Sequence, residues 1–199
     1  MILYQPQWKI DSKKSTYFKN RLSIIEPYIK DFSSIIDIGC NYGWNSFELS
    51  NKNIDITGID TFSDTRDKGG QIEYFYQAQE LIKQYDIKNV KIIRDEITNY
   101  LKDKKFDVAL CLLVLHHYLK IPNTFDLDDE YFGLSNEGLQ LIKIIKNNCG
   151  KCFFQLRLEN TQDYLIEYFF KAVLEYNNVE LLRSKSFYFC SPNPIIMCS

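Results

Sequence analysis

The sequence predicts an α/β fold: a doubly wound, mostly parallel sheet of seven strands with helices on both faces and an antiparallel strand near the carboxyl end. Three observations predict it. Short apolar runs alternate with amphipathic stretches from residue 34 onward. The run Phe106–Leu113 is apolar almost throughout, as a central parallel strand covered on both faces must be. The first run, Ile35-Ile36-Asp37-Ile38, passes directly into Gly39-Cys40-Asn41-Tyr42-Gly43, where glycines free to take positive φ let a strand turn into a helix.

Residues 1–14 are polar and irregular, and Phe18, Leu22, Ile25 and Ile29 then recur at helical spacing, with Pro27 obliging that helix to kink or split. Strand one is expected at Ser34–Ile38, a helix from Trp44 to about Asn51, and strand two at Ile54–Ile59. A helix over 67–85 places Ile72, Phe75, Ala78 and Ile82 on one face and leads to strand three at Val90–Arg94. A short helix over 96–102 precedes strand four. The stretch 119–132 contains Pro122 and four acids, and reads as a long loop. Ser135 or Asn136 then caps a helix to Asn148, with Gly150 just past its end. Lys151–Leu156 reads as strand five, residues 161–176 as a helix carrying Leu165, Phe169 and Val173 on one side, and 179–185 with a segment of 187–198 as an antiparallel pair.

At 199 residues the chain suits one domain, with 1–33 an arm and helix before a core of 34–199, and such a domain buries roughly 70% of its unfolded surface without staples. A net charge of −2 with mixed signs disfavours nucleic acid as the default partner. No run approaches the ~20 apolar residues of a membrane span, and Met1-Ile2-Leu3-Tyr4-Gln5-Pro6 lacks the order of a signal peptide, so a cytoplasmic protein without membrane contact is expected. Six scattered cysteines read as reduced, buried thiols. Cys149-Gly150-Lys151-Cys152 places its first cysteine at a helix end and its second at a strand start, which argues against a redox pair, and no metal centre is expected.

The chemistry concentrates at the strand ends. The turn Gly39–Gly43 lets a ligand approach the backbone, and the helix entered at Trp44 presents unpaired N–H groups, so the segment suits a nucleotide. Asp60 closes the run Ile54-Asp55-Ile56-Thr57-Gly58-Ile59, where a carboxylate can accept from ribose hydroxyls. His116 and His117 are the only histidines and lie just past strand four, where open α/β sheets bind ligands; either could take a proton from an acceptor.

Asp37-Ile38-Gly39-Cys40-Asn41-Tyr42-Gly43 resembles the first motif of the class I S-adenosylmethionine-dependent methyltransferases, an acid followed by Gly-x-Gly-x-Gly, with Asn41 in place of the middle glycine. Gly58-Ile59-Asp60 is similar to the second motif, Val90–Glu96 to the third and Phe106–His117 to the fourth, in the Leu115-His116-His117 form of some bacterial members. The resemblance implies a Rossmann-like fold and S-adenosylmethionine as cofactor. Asp37, Gly39, Asn41, Tyr42, Gly43, Asp60, Thr61 and Leu112 would bind it, with Asp95 or Glu96 at the adenine amino group and His117 or His116 toward the acceptor. A hydroxyl or amine of a small-molecule or glycan acceptor is the expected target. The acidic loop Asp126-Leu127-Asp128-Asp129-Glu130 shares that rim. An amino-terminal arm with Lys9, Lys13, Lys14, Lys19 and Arg21 against Asp11 could cover the cofactor or grip phosphates, which keeps an RNA acceptor open. A non-enzymatic cofactor-binding module is the other alternative. A dinucleotide dehydrogenase fits less well, because glycine would open its fingerprint where Asp37 stands.

Overall fold

The structure, a computed structural model, describes residues 21–62, 71–118, 134–156, 163–183 and 195–199. The amino-terminal arm, the 119–132 loop and most of the 187–198 segment lie outside the described residues.

Among the described residues, seven strands form one sheet in the order β3-β2-β1-β4-β5-β7-β6. They are β1 (Ser34–Ile38), β2 (Asp55–Asp60), β3 (Val90–Arg94), β4 (Phe106–Leu112), β5 (Cys149–Gln155), β6 (Val179–Leu182) and β7 (Ile195–Cys198). β1 pairs in parallel with both β2 and β4, so the chain reverses its direction of winding at β1. A crevice opens outside the carboxyl ends of the strands at such a switch point. β7 runs antiparallel to β5 and β6, the arrangement expected near the carboxyl end.

Alternation along β1 divides the core. Ile36 and Ile38 face a cluster with Leu101, Leu141, Ile145 and Phe170, under α4 (Ile97–Leu101), α5 (Asn136–Asn148) and α6 (Asp163–Tyr168). Ile35 faces Leu22 and Ile25 of the first helix, Phe47 of α2 (Trp44–Leu49) and Leu81 of α3 (Gln71–Gln84). Asp37 shares the parity of Ile35, so the strand carries a carboxylate into this second layer. The first helix, α1, is described over 21–25 and tightens into a 3-10 turn at Glu26–Tyr28, where Pro27 has no N–H to give.

Several boundaries move. β2 takes in Asp60 and begins at Asp55 rather than Ile54, because Asp60 pairs with Arg94 at the end of the ladder. β4 stops at Leu112, and Leu113 turns out of the ladder with φ +62°. Gly150 is not a helix cap: α5 passes straight into extended geometry at Cys149, and both Cys149 and Cys152 lie in β5. A Cβ at Gly150 would sit 3.2 Å from the Asp107 carbonyl oxygen, so the glycine serves close strand approach instead. The helix expected over 161–176 is α-helical only to Tyr168 and continues as a π-helix, Phe169–Val173. The wider turn buries the successive residues Phe169 and Phe170 completely, each at 0% exposure.

Ser135 caps α5, its side chain accepting from the Gly138 N–H at 3.2 Å. The described cysteines, Cys40, Cys111, Cys149, Cys152 and Cys198, are free and buried. No helix among the described residues is long and apolar enough to cross a membrane.

Candidate active site

The turn after β1 owes its shape to three left-handed residues at alternate positions: Gly39 (φ +66°), Asn41 (φ +49°) and Gly43 (φ +75°). The Gly39 and Cys40 N–H groups both donate to the Ile59 carbonyl, at 2.8 and 3.1 Å, which folds the turn over the end of β2. A Cβ on Gly39 would lie 2.5 Å from Val114 Cγ2, so only glycine fits between this turn and the exit of β4. Asn41 takes the middle position because its short amide side chain tolerates left-handed backbone. Gly43 caps α2 and accepts from the Phe47 N–H at 2.8 Å.

Asp37 is 1% exposed. Its Oδ2 accepts from Ser46 Oγ at 2.8 Å and its Oδ1 from Asn45 Nδ2 at 3.3 Å. The Asn45 amide oxygen in turn accepts from Arg21 Nη2 at 3.1 Å, and Arg21 Nη1 donates to Gln155 Oε1 at 3.3 Å. Burial pushes the Asp37 carboxyl up to about 6, while the Ser46 and Asn45 bonds and the Arg21 charge pull the other way. Asp37 therefore holds the first turn of α2 against β1. Arg21 is 5% exposed and belongs to this knot, so it is not one of the cations an amino-terminal arm could offer to phosphates.

Asp60 stands at the end of β2 and holds two backbone groups. Its Oδ2 accepts from the Asn41 N–H and its Oδ1 from the Phe62 N–H, both at 3.0 Å. Each oxygen keeps a lone pair, and the carboxylate is half-buried. Thr61 follows it, half-buried, and Phe62 turns away with φ +51°. The Tyr42 ring stacks on Tyr74 of α3 with centroids 3.6 Å apart, walling this side of the turn.

Asp95 and Glu96 follow β3, both exposed; Asp95 Oδ1 accepts from the Glu96 N–H at 2.7 Å, and Glu96 caps α4 without a side-chain bond. Leu112, 7% exposed, is the last residue of β4 and pairs with Gln155. The chain then forms a 3-10 turn, Leu115–Tyr118. His117 is exposed on it, and its N–H donates to the Val114 carbonyl at 3.0 Å. The His116 side chain lies outside the described residues.

The candidate residues thus gather at the carboxyl ends of β1, β2, β3 and β4. Asn45, Ser46, Arg21 and Gln155, which complete the Asp37 knot, carry no sequence signal beyond polarity next to a motif. Tyr118 was not foreseen either. It is half-buried, and burial raises the pKa of its hydroxyl, helped by Cys111 and by the charges of Glu96, Asp60 and Glu137.

The site also fits a nucleoside-type cofactor. Asn41 Oδ1 is buried without a hydrogen-bond partner, and Asp60 presents acceptors beside it. Both call for donors of the kind that ribose hydroxyls and an ammonium supply.

Residues 11–155 match the family described as Methyltransferase domain. No curated protein of similar sequence was found. Solved structures share the fold. The bifunctional kinase-methyltransferase WbdD aligns with TM-score 0.63 and 16% identity over 100% of this chain but 43% of its own, so this chain spans less than half of WbdD. An rRNA methylase from Streptococcus thermophilus aligns with TM-score 0.56 and 14% identity, over 89% of this chain and 92% of that one. SMU.1697c, a putative methyltransferase from Streptococcus mutans in complex with S-adenosylhomocysteine, aligns with TM-score 0.55 and 15% identity, over 89% and 96%. With the strand-end site and the family match together, the chain belongs to the methyltransferase domain family.

Proposed function

We propose that this enzyme methylates a hydroxyl or amine of a small-molecule or glycan acceptor. Residues 1–199 act as one methyltransferase domain in the cytoplasm. The observation that carries the reading is that Asp60, at the end of β2, and the exposed His117, just after β4, both lie at the carboxyl ends of the strands.

S-adenosylmethionine supplies an electrophilic methyl group on a sulfonium, and the protein's task is to align it with the acceptor atom; alignment alone can lower the barrier by several kcal/mol. Asp60 and Thr61 hold the ribose. Gly39, Asn41, Tyr42 and Gly43 bring backbone against the methionine half, Asp37 fixes that turn from below, and Leu112 closes the floor. Asp95 or Glu96 meets the adenine amino group. His117 takes the acceptor proton at an imidazole nitrogen, and His116 orients the segment. A net charge of −2 supports a small acceptor over a phosphate backbone.

The test is transfer of labelled methyl to a panel of sugars, amines and short RNAs. Label on sugars or amines is expected, with His117→Asn cutting kcat by ~10²–10⁴ while cofactor affinity stays within a few-fold. Label on RNA alone would replace the acceptor class, and full turnover in His117→Asn would leave alignment as the source of rate.

A further inference from the structure

We infer that the amide side chain of Asn41 hydrogen-bonds the bound cofactor directly, so that this residue sets cofactor affinity where a middle glycine has no side chain to contribute. The inference rests on the cofactor assignment above. The backbone of Asn41 is held on both sides. Its backbone is left-handed at φ +49°, its N–H is committed to Asp60 Oδ2 at 3.0 Å, and its carbonyl receives a weak contact from Cys40 Sγ at 3.8 Å. The side-chain oxygen is nonetheless buried with no hydrogen-bond partner.

A buried carbonyl without a donor is unfavourable, and the same turn could be made by glycine, which adopts positive φ without strain. Asn41 therefore burdens the turn twice, once through its backbone and once through its amide. A donor arriving with the ligand removes the second burden. Asp60 beside it is also acceptor-only, so the two residues together face a group rich in O–H or N–H. The cofactor carries such donors in its ribose hydroxyls and in the α-ammonium of its methionine half. The Asn41 oxygen takes one of them.

Calorimetry on Asn41→Gly tests this with two ligands that share adenine, ribose and thioether: S-adenosylhomocysteine, which has the amino acid, and 5′-methylthioadenosine, which lacks it. Affinity for S-adenosylhomocysteine should fall about tenfold, the loss expected for a hydrogen bond to a buried group. An equal loss with 5′-methylthioadenosine identifies a ribose hydroxyl as the donor, whereas a loss confined to S-adenosylhomocysteine identifies the ammonium. Without ligand, Asn41→Gly should melt no lower than the wild type. Unchanged affinity for both ligands overturns the inference, as does a lower melting temperature of the ligand-free variant, which would mean that the amide has its partner within the turn. Failure of the wild-type protein to bind S-adenosylhomocysteine would instead remove the cofactor assignment beneath it.

Discussion

Two aspartates at opposite ends of neighbouring strands meet opposite fates. Asp107, near the start of β4, gathers four donors on one oxygen: Ser33 N–H at 2.9 Å, Ser33 Oγ at 2.7 Å, Ser34 N–H at 2.9 Å and Ser34 Oγ at 3.1 Å. Those bonds outweigh partial burial and hold its carboxyl below the usual range. Asp37, near the end of β1, has two side-chain donors and almost no water, and burial wins, raising it to about 6. The amino end of the sheet is a clasp in which charge is satisfied. At the carboxyl end charge is kept in a costly state, as expected where a ligand is to be held.

The largest expected effect concerns that difference in pH response. Asp37 binds a proton more tightly in the folded than in the unfolded chain, so stability falls as pH rises from about 4 to 6, by about 3 kcal/mol. Asp107 works the other way: its contribution is present above the unfolded pKa near 3.8 and is lost as pH falls through its lower folded value. Denaturant melts across pH should show the first slope in the wild type and not in Asp37→Asn. An identical slope in both proteins would erase the contrast.

Next in size is Asp60→Ala, which removes charge-assisted bonds worth ~1.5–3 kcal/mol and should weaken S-adenosylhomocysteine binding about 10- to 150-fold, with folding preserved. Because Asp60 also holds the Asn41 and Phe62 N–H groups, hydrogen exchange at those two amides should quicken in the variant. Unchanged affinity would place Asp60 with Asp107 as a purely structural acid. The smallest effect is Ser34→Ala. It deletes one side-chain donor to Asp107 and the acceptor for the Asp107 N–H, should cost about 1 kcal/mol in chemical denaturation, and should leave cofactor affinity alone. A variant that binds the cofactor worse would show that the two ends are coupled.

Legibility follows the range of the interaction that decides each feature. β1 and β3 match their expected bounds because a run of branched apolar residues ends in a glycine or an acid, a signal contained in the segment itself. The Asp37–Gly43 turn is legible for the same reason. The π-helix is not, because what favours it is packing of Phe170 against Phe154 and Tyr176, with Phe169 edge-on to Phe170, and periodicity cannot see that layer. Gly150 misled because a glycine after a helix resembles a cap, whereas its neighbour, the Asp107 carbonyl, arrives from another strand. Arg21 read as one more surface cation; two of its partners are 24 and 134 residues away, and nothing local distinguishes it from Lys19.

Those two separations have a kinetic meaning. Arg21 can reach Asn45 by closing a short loop, but Gln155 only after β5 has been laid beside β4, and the longer closure costs about 1.5 kcal/mol more in chain entropy. Loop closure alone therefore predicts that the Asn45 contact forms before the Gln155 contact. Removing Gln155's oxygen by Gln155→Met should speed unfolding while leaving the refolding rate nearly unchanged, whereas Asn45→Ala should also slow refolding if α2 docks in the transition state. Read in that way, Arg21 records the order in which the two halves of the sheet come together.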